Sequence, residues 1–319
     1  MITVADVEAA AKQINGHVLR TPTVPSPGLS AFLGVRVTAK LELLQRTGSF
    51  KARGATAKLL ALSEAERAAG VVAVSGGNHG IGVAVMAGVL GVEATVVMSR
   101  SAPGRAVDIA EASGANVTLV DTMDGAFALV EELRAKGLTL VHPFDDPVVI
   151  AAQGTVGLEF AQDAGELTDV LVSIGGGGLI AGVATALRAR RPGVRIWGVE
   201  TDGARAMSAA LEAGGPVPVE LSSIVSTLSA PSVSPITYEH VSALVTDVLT
   251  VTDAEAVRGT LDLADHAKVW AEPAAGCLLP AARRVLERVG EDARLGLVLC
   301  GGNATTADVT AWAERFGLR

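Results

Sequence analysis

The stretch Thr47-Gly48-Ser49-Phe50-Lys51-Ala52-Arg53-Gly54-Ala55 places a single lysine among small residues with one aromatic neighbour. Small neighbours would let a flat ring approach Lys51, and Phe50 could support that ring. Taken alone, the stretch is better explained as the start of a helix over residues 51–62, with the lysine facing water. Three more glycine-rich turns follow in the chain, each after an apolar run, and they favour a functional lysine.

Four motifs, in chain order, carry a resemblance to a known family. They are Ser49-Phe50-Lys51-Ala52-Arg53-Gly54, Ser75-Gly76-Gly77-Asn78-His79-Gly80, Gly175-Gly176-Gly177-Gly178-Leu179 and Cys300-Gly301-Gly302-Asn303. Together they resemble the fold type II pyridoxal-phosphate (PLP) enzymes, whose fold is like that of the tryptophan synthase β subunit. The nearest likeness is to the serine/threonine dehydratase and serine racemase family, over nearly the whole chain. Four ordered motifs are far more specific than one glycine motif.

Apolar strands alternate with helical stretches along most of the chain. The predicted strands are 35–41, 71–74, 94–98, 116–120, 138–141, 170–174, 196–200 and 295–299. The predicted helices are 3–14, 51–62, 79–90, 105–112, 125–136, 179–190, 254–266 and 274–288. Nearly all-apolar strands separated by helices indicate mainly parallel sheets that are covered on both faces.

The segment 142–147 contains two prolines and interrupts this alternation, so it is a candidate hinge. We therefore predict an α/β fold of two domains. Residues 1–50 and 146–319 form a large PLP-binding domain, and residues 51–145 form a smaller α/β domain inserted into it. Because ligands of such folds bind beyond the carboxyl ends of the strands, the cofactor is expected in the cleft between the domains. The proline-rich stretch 20–27 is predicted to be non-helical.

The composition excludes several classes of protein. A formal charge of -8 at pH 7 argues against a nucleic-acid partner, which would need a basic face. The N-terminus lacks the basic start and apolar core of a signal peptide. Cys277 and Cys300 form no disulfide framework and fit a reducing cytoplasm. The span 170–187 is uncharged, but four glycines in its middle favour a turn over a membrane helix. We expect a cytoplasmic protein without a membrane partner.

Gly175 to Gly178 follow a predicted strand and precede a predicted helix. Glycines at such a turn let backbone N–H groups converge on an anion, and the helix adds its positive N-terminal end. A tight turn without a ligand is the alternative, but four consecutive glycines favour an anion site. The resemblance places the phosphate of PLP here, with Leu179 beside it.

The turn from Ser75 to Gly80 also lies between a predicted strand and a predicted helix. The resemblance implies that Ser75, Gly77, Asn78 and His79 bind the substrate carboxylate, and that Asn78 also hydrogen-bonds the ring hydroxyl of the cofactor. Asn78 could instead serve only as a turn residue. His79 fits a donor at the helix start better than a catalytic base, because no neighbouring carboxylate orients it.

The resemblance also assigns the reacting groups. Lys51 would form the Schiff base with PLP and, once displaced by the substrate amine, would remove the Cα proton. Burial would lower the pKa of Lys51 for this role. Phe50 would flank the ring, although a plain core aromatic is an equal alternative. Ser49, Gly301 and Glu272 would support the site without touching the reacting atoms.

Cys300 ends an apolar run and, by the resemblance, faces the pyridine nitrogen of PLP. A thiol is a weak, neutral partner that would not hold this nitrogen protonated. A less protonated ring is a poorer electron sink, so prompt β-elimination is favoured over transamination. A buried small hydrophobe is the alternative for Cys300, but the two glycines and the asparagine that follow it favour the site.

Three departures from the family pattern bear on activity. Gly76 stands where serine-racemising relatives carry a second serine, so dehydration, which needs an acid–base group on one face only, is favoured over racemisation. Glu200 and Ala204 match two positions of a divalent-cation site in some relatives, but Ala206 stands where that site has an aspartate. The sequence therefore predicts a monovalent or divalent cation only weakly. The segment 225–227 replaces the family's Ala-Asp-Gly near the expected ring.

The sequence thus predicts a PLP-dependent carbon–oxygen lyase of the threonine/serine ammonia-lyase type. It would remove water and ammonia from a β-hydroxy amino acid such as L-threonine or L-serine to give a 2-oxo acid, and the resemblance implies a homodimer. The alternatives are a serine or amino-acid racemase, a β-replacement synthase on an activated serine, and a catalytically silent binding protein. An NAD-dependent dehydrogenase is excluded, because no G-x-G-x-x-G motif with its downstream acidic residue is in place.

Overall fold

The computed structural model describes residues 1–318, apart from the side chains of Met123 and Asp124. These residues form two β-sheets. The larger sheet has six strands, in the spatial order β1 (Thr23–Pro25), β2 (Arg36–Leu41), β10 (Arg294–Leu299), β7 (Asp169–Ser173), β8 (Arg195–Thr201) and β9 (Asp247–Val251). Strand β1 runs antiparallel to β2, and the other neighbouring strands are parallel.

The smaller sheet has four parallel strands, in the order β5 (Asn116–Val120), β4 (Ala94–Ser99), β3 (Val71–Val74) and β6 (Thr139–Leu140). All four lie between β2 and β7 in the chain, whereas the larger sheet combines strands from both sides of this segment. The predicted α/β fold with mainly parallel sheets is confirmed. We propose that the two sheets mark the two predicted domains, with boundaries near residues 50 and 145.

Helices connect the strands and cover the sheets. They are α1 (Val4–Ile14), α2 (Pro27–Leu33), α3 (Lys51–Leu60), α4 (Glu64–Ala69), α5 (Asn78–Leu90), α6 (Gly104–Ala112), α7 (Met123–Ala135), α8 (Pro147–Asp163), α9 (Gly178–Arg190), α10 (Ala206–Ala213), α11 (Pro235–Leu244), α12 (Asp253–Asp262), α13 (Pro273–Gly276), α14 (Leu278–Val289) and α15 (Thr306–Arg315). Throughout residues 1–318, no helix combines the length and the apolar character that a membrane span needs.

Helix α3, which begins at Lys51, packs on two sides. Ala52, Ala55 and Leu59 belong to the core of the four-stranded sheet. Ala57, on another face, packs with Ile150 of α8 in a separate core beside α1. The position of Lys51 is therefore set by contacts with both halves of the molecule.

Some predicted elements need correction. The last residue of the proline-rich stretch 20–27 is helical, since Pro27 begins α2. Proline is tolerated at the first helical position, because the N–H that it lacks would have no acceptor within the helix. The predicted helix 254–266 ends at Asp262 and continues as a π-helical turn, Leu263–Ala267. The predicted helix 274–288 consists of two helices that meet at Cys277. The elements β1, β9, α2, α4, α8, α10, α11 and α15 are absent from the prediction.

Candidate active site

One cavity lies where the carboxyl ends of β3, β7 and β10 meet the first residue of α3. Its lining comes from β7 and from the loops and helices that follow the strands of both sheets, and it includes residues of all four motifs. The lining residues are Phe50, Lys51, Asn78, Phe144, Ser173, Gly175, Gly176, Gly177, Gly178, Leu179, Thr227, Leu228, Glu272, Ala274 and Cys300.

Lys51 places its amine in this cavity. Its Nζ donates a hydrogen bond to the Pro143 carbonyl oxygen, 2.9 Å away, and lies 5.1 Å from the centre of the Phe50 ring. The residue is partly exposed to the cavity, yet protein surrounds the amine. Burial lowers the pKa of Lys51 to about 8, with the nearby Cys300 opposing that shift. About a tenth of the amine is therefore neutral at pH 7, far more than for an ordinary surface lysine.

The turn 175–178 connects β7 to α9 and leaves no room for side chains. Gly177 adopts φ +90°, a left-handed conformation that favours glycine, and a Cβ there would lie 2.9 Å from Thr237. A Cβ on Gly176 would collide with the Phe144 ring. The N–H groups in the first turn of α9 have no acceptor within the helix, so they can bind an anion in front of it.

Asn78, at the start of α5, is fixed by two neighbours. Its Nδ2 donates to Glu272 Oε1 at 2.7 Å, and its Oδ1 accepts from Asn303 Nδ2 at 2.8 Å. Glu272 is 4% exposed, and burial raises its pKa to about 7, although the hydrogen bonds from Asn78 and from the Asn303 N–H oppose that rise. The carboxyl group therefore titrates near neutral pH.

Cys300 follows β10 and borders the cavity beside Ser173. The Ser173 hydroxyl donates to Cys300 Sγ at 3.4 Å. Burial, reinforced by the nearby Glu272, raises the pKa of the Cys300 thiol to about 12. The thiol therefore stays neutral across the physiological pH range.

Arg53 holds the first turn of α3 through a buried ion cluster. Its guanidinium donates to both oxygens of Glu42 at 2.8 Å and to both oxygens of Glu159 at 2.7 and 2.9 Å. Lys40 pairs with the same Glu159 at 2.6 Å. Burial works against the charge of Arg53, but the two carboxylates outweigh it and raise its pKa. These bonds tie α3 to the end of β2 and to α8.

Comparison with known proteins agrees with this geometry. The sequence model of the family described as "Pyridoxal-phosphate dependent enzyme" matches residues 14–301. The chain belongs to this family. The prediction of a PLP-dependent enzyme is confirmed.

Relatives within the PLP-dependent family cover most of the chain. An L-threonine ammonia-lyase of Thermotoga maritima is 38% identical over 95% of this chain and 76% of its own length. The phenylserine dehydratase of Ralstonia pickettii is 38% identical over 99% of this chain and 95% of its own. Among solved structures, a threonine deaminase of T.th. has a TM-score of 0.88 at 38% identity, covering 95% of this chain and 99% of its own. Maize serine racemase has a TM-score of 0.91 at 30% identity, covering 99% and 97%.

The residues in the cavity fit the cofactor of this PLP-dependent family. An aldehyde needs an amine, which Lys51 offers in partly neutral form. A phosphate needs several N–H donors without side chains in the way, and the turn 175–178 has both properties. A ring hydroxyl needs a donor, and Asn78 Nδ2 keeps one hydrogen that Glu272 does not use.

Several residues that were predicted for this PLP site stand beside the cavity and not in its lining. The Ser75 hydroxyl accepts from the Gly77 N–H at 3.1 Å, within the turn that precedes α5. The His79 Nε2 is 2.8 Å from the Val141 carbonyl oxygen, and burial, together with the charge of Lys51, lowers the pKa of His79 to about 3. The ring is therefore neutral and engaged, so only its backbone N–H is available to a ligand.

Ser49 and Gly301 lie behind the lining of the cavity, where a backbone bridge joins them. A Cβ on Gly301 would be 2.7 Å from Glu272 Oε1 and 3.0 Å from Asn78 Nδ2. Glycine at position 301 therefore permits the contact between the two side chains.

Glu200 and Ala204, the weakly predicted cation-site residues, are not part of the lining of the cavity. Glu200 accepts hydrogen bonds from the Met207 N–H at 2.7 Å and from the Ser208 N–H and hydroxyl at 2.9 and 2.6 Å. Both carboxylate oxygens of Glu200 thus accept hydrogen bonds from the start of α10. Burial raises the pKa of Glu200. Among residues 1–318, no group of three or more His, Cys, Asp and Glu side chains is placed to hold a metal ion.

Some contacts around the cavity have no signal in the sequence. Phe144 lies in the segment that was interpreted as a hinge, but its ring packs on Gly176 and its neighbour Pro143 accepts from Lys51. Ser173 and Ala274 have the pattern of ordinary core positions. Asn303 is part of a motif, yet its contact with Asn78 depends on two segments 225 residues apart in the chain.

Proposed function

We propose that this protein is a PLP-dependent ammonia-lyase. It removes water and ammonia from a β-hydroxy amino acid of the L-threonine or L-serine type and produces a 2-oxo acid. One observation carries the proposal: the amine of Lys51, with its pKa lowered to about 8, lines the same cavity as the glycine turn 175–178. The relatives named L-threonine ammonia-lyase and phenylserine dehydratase support this reaction class.

The proposed roles follow from the chemistry of each group. Bound PLP would supply the electron sink for the pair that is left when the Cα–H bond breaks. The turn 175–178 would hold the phosphate, and Asn78 would hold the ring hydroxyl. Neutral Lys51 would receive the Cα proton at Nζ. Loss of the β-hydroxyl as water, followed by uptake of one water, gives one ammonia and one 2-oxo acid per substrate.

The substrate carboxylate would bind at the turn that precedes α5. The hydroxyl of Ser75 and the backbone N–H groups of Asn78 and His79 are the proposed donors, and the Gly77 N–H, which donates to the Ser75 oxygen, would orient that hydroxyl toward the carboxylate. The turn and the first residues of α5 are suited to bind an anion, because the first N–H groups of a helix have no acceptor within it and form the positive end of its dipole. Thr227, which stands next to Gly77 and borders the cavity, is placed at the same side of the site.

The neutral thiol of Cys300 supports elimination. A thiol with a pKa of about 12 cannot provide the negative charge that would keep a pyridine nitrogen protonated. The electron sink is therefore weaker, and a reaction in which the leaving group departs at once is favoured over one that needs a long-lived carbanion.

Racemisation is disfavoured at Gly76. A racemase needs a second acid–base group on the face opposite the lysine, and glycine offers none. A Cβ at position 76 would lie 2.6 Å from Ala102 Cβ, so Ala102 leaves no room for a side chain at this position. The same turn therefore excludes a serine unless Ala102 moves.

Replacement of Lys51 tests the proposal. We expect Lys51→Ala to fold normally and to lose at least about a thousandfold in 2-oxo acid formation from L-threonine or L-serine, because the proton acceptor and the anchor of the cofactor are removed together. Lys12→Ala, on the exposed face of α1, is the matched control and should keep full activity. Ammonia release by Lys51→Ala at the rate of the unaltered protein would overturn the proposal.

The β-substituent and the assembly are tested separately. A panel of L-threonine, L-serine and L-threo-phenylserine, scored by 2-oxo acid formation, ranks the substrates. O-acetylserine with sulfide reports β-replacement. We also propose a cytoplasmic location, which the free, buried state of Cys277 and Cys300 supports because it requires no oxidising compartment. The proposed homodimer rests on the family resemblance alone. Light scattering coupled to size-exclusion chromatography would measure the assembly.

A further inference from the structure

Asn303 connects three segments around the cavity without lining it. Its Nδ2 donates to the Thr47 carbonyl oxygen and to Asn78 Oδ1, both at 2.8 Å, and its backbone N–H donates to Glu272 Oε2 at 3.2 Å. Thr47 precedes the lysine loop, Asn78 begins α5 and Glu272 precedes α13. Asn303 thus joins the groups that surround the cofactor site.

The surrounding backbone keeps Asn303 in place. Gly48 adopts φ +70°, and a Cβ there would collide with Asn303 Oδ1. The Gly302 N–H donates to the Gly48 carbonyl oxygen at 2.9 Å. The amide of Asn303 therefore packs directly against the loop that leads to the lysine, and only glycine at position 48 allows this approach.

These bonds fix the direction of the Asn78 amide. Both hydrogens of Asn303 Nδ2 are used as donors, so the Asn78 atom that faces Asn303 must be the acceptor, Oδ1. The Nδ2 of Asn78 then faces Glu272, on the side that borders the cavity. A reversed amide would place Nδ2 against another NH₂ group and Oδ1 against the Glu272 carboxyl group, and above pH 7, where Glu272 is ionised, it would lose both hydrogen bonds.

We propose that Asn303 is a positioning residue, which holds the Asn78 amide so that its N–H group, and not its oxygen, faces the cofactor cavity. The proposal rests on the function proposed above, since it concerns how the same site binds PLP. Asn303 does not touch the cofactor; it acts through Asn78. Glu272 completes the arrangement as the acceptor for one of the two Asn78 hydrogens.

Asn303→Asp tests the direction of the amide. The aspartate replaces a double donor by an acceptor, so the Asn78 amide should reverse and present its oxygen to the cavity. We expect the dissociation constant of PLP, measured by absorbance titration of the cofactor-free protein, to rise about tenfold or more. The pH midpoint of the visible band of bound PLP should shift as well. Asn116→Asp, an equal change of charge on an exposed strand position, should alter neither.

A second variant separates positioning from mere stability. In Asn303→Asp combined with Glu272→Gln, the introduced glutamine amide can donate to the reversed Asn78 Oδ1, and the introduced aspartate can accept from Asn78 Nδ2. Both bonds of the Asn78 amide are then restored with the opposite polarity. We expect the thermal midpoint of the cofactor-free double variant to recover toward that of the unaltered protein, while the affinity for PLP stays low.

The outcomes are distinct. Recovery of PLP affinity together with the thermal midpoint would overturn the inference, because Asn303 would then serve only stability. Unchanged affinity in Asn303→Asp would overturn it too, and would leave the proposed function intact. Failure of the unaltered protein to bind PLP at all would overturn the proposed function, and this inference with it.

Discussion

At the scale of single residues, the state of Lys51 sets when the protein can take up its cofactor. Only the neutral amine reacts with an aldehyde, and burial lowers the pKa of Lys51 from 10.5 to about 8. We expect the rate of PLP uptake by the cofactor-free protein to rise about tenfold per pH unit below pH 8 and to level off above it. Stopped-flow absorbance between pH 6.5 and 10 measures this rate. A rate that climbs steadily to pH 10 would show an ordinary lysine.

Glu272 makes a second residue-level prediction, about stability. Its pKa rises from 4.5 to about 7 on folding, so between these values the folded protein holds a proton that the unfolded chain has lost. Stability must then fall as the pH rises through this window. At each pH, we subtract the free energy of unfolding of the Glu272→Gln variant from that of the unaltered protein, both without cofactor. We expect this difference to decrease by about 2–3 kcal/mol from pH 5 to pH 8. Parallel urea curves of the two proteins at each pH test this; a constant difference would contradict the raised pKa.

The residues that the sequence could identify are those whose chemistry is local. The glycines at 175–178 are recognisable from their place after an apolar run, and Lys51 is recognisable because four ordered motifs together resemble one family. The pKa of Glu272 could not be predicted, because it depends on burial among segments far apart in the chain. The same holds for Phe144, whose ring packs on a turn that comes more than thirty residues later. These contacts are products of the tertiary fold and leave no local pattern.

At the scale of elements, the buried cluster around Arg53 joins α3, α8 and the end of β2. Arg53→Met would leave Glu42 and Glu159 without their main partner, and removing one member of a buried ion pair costs about 3–5 kcal/mol. We expect the free energy of unfolding to fall by this amount, measured by urea denaturation. Arg36→Met, at an exposed position of β2, is the matched control and should change it by less than about 0.5 kcal/mol. A loss below about 1 kcal/mol in Arg53→Met would show that the cluster contributes little.

The elements themselves were predictable where burial gives a clear pattern. Strands β3, β4, β7 and β10 are mostly buried, and the predicted bounds agree with the structure within a residue or two. Helix α8 was missed, because it is buried nearly all round and shows no polar face to mark a period. The start of α14 at Leu278 was missed because the short helix α13 runs into it without a loop.

At the scale of the whole molecule, the cavity is lined from both sheets, since Asn78 follows β3 while Ser173 ends β7. A ligand that contacts both must stabilise both, because its binding energy is lost when either half opens. At a concentration of one hundred times its dissociation constant, PLP should add about 2.7 kcal/mol to the free energy of opening. Amide hydrogen exchange that requires this opening should therefore slow about a hundredfold in β3 and in β7 alike.

Pyridoxal, which lacks the phosphate, is the matched ligand for this measurement. At the same concentration it should protect β7 and β3 much less, because it gives the turn 175–178 no anion to bind. Lys51→Ala, with PLP, should also show reduced protection in both strands, since the amine end of the cavity no longer holds the ligand. Protection by PLP that is confined to one sheet would mean that the ligand does not bridge the two halves. The cleft would then be a surface of one domain, and Asn78 and the glycine turn would not act on one molecule.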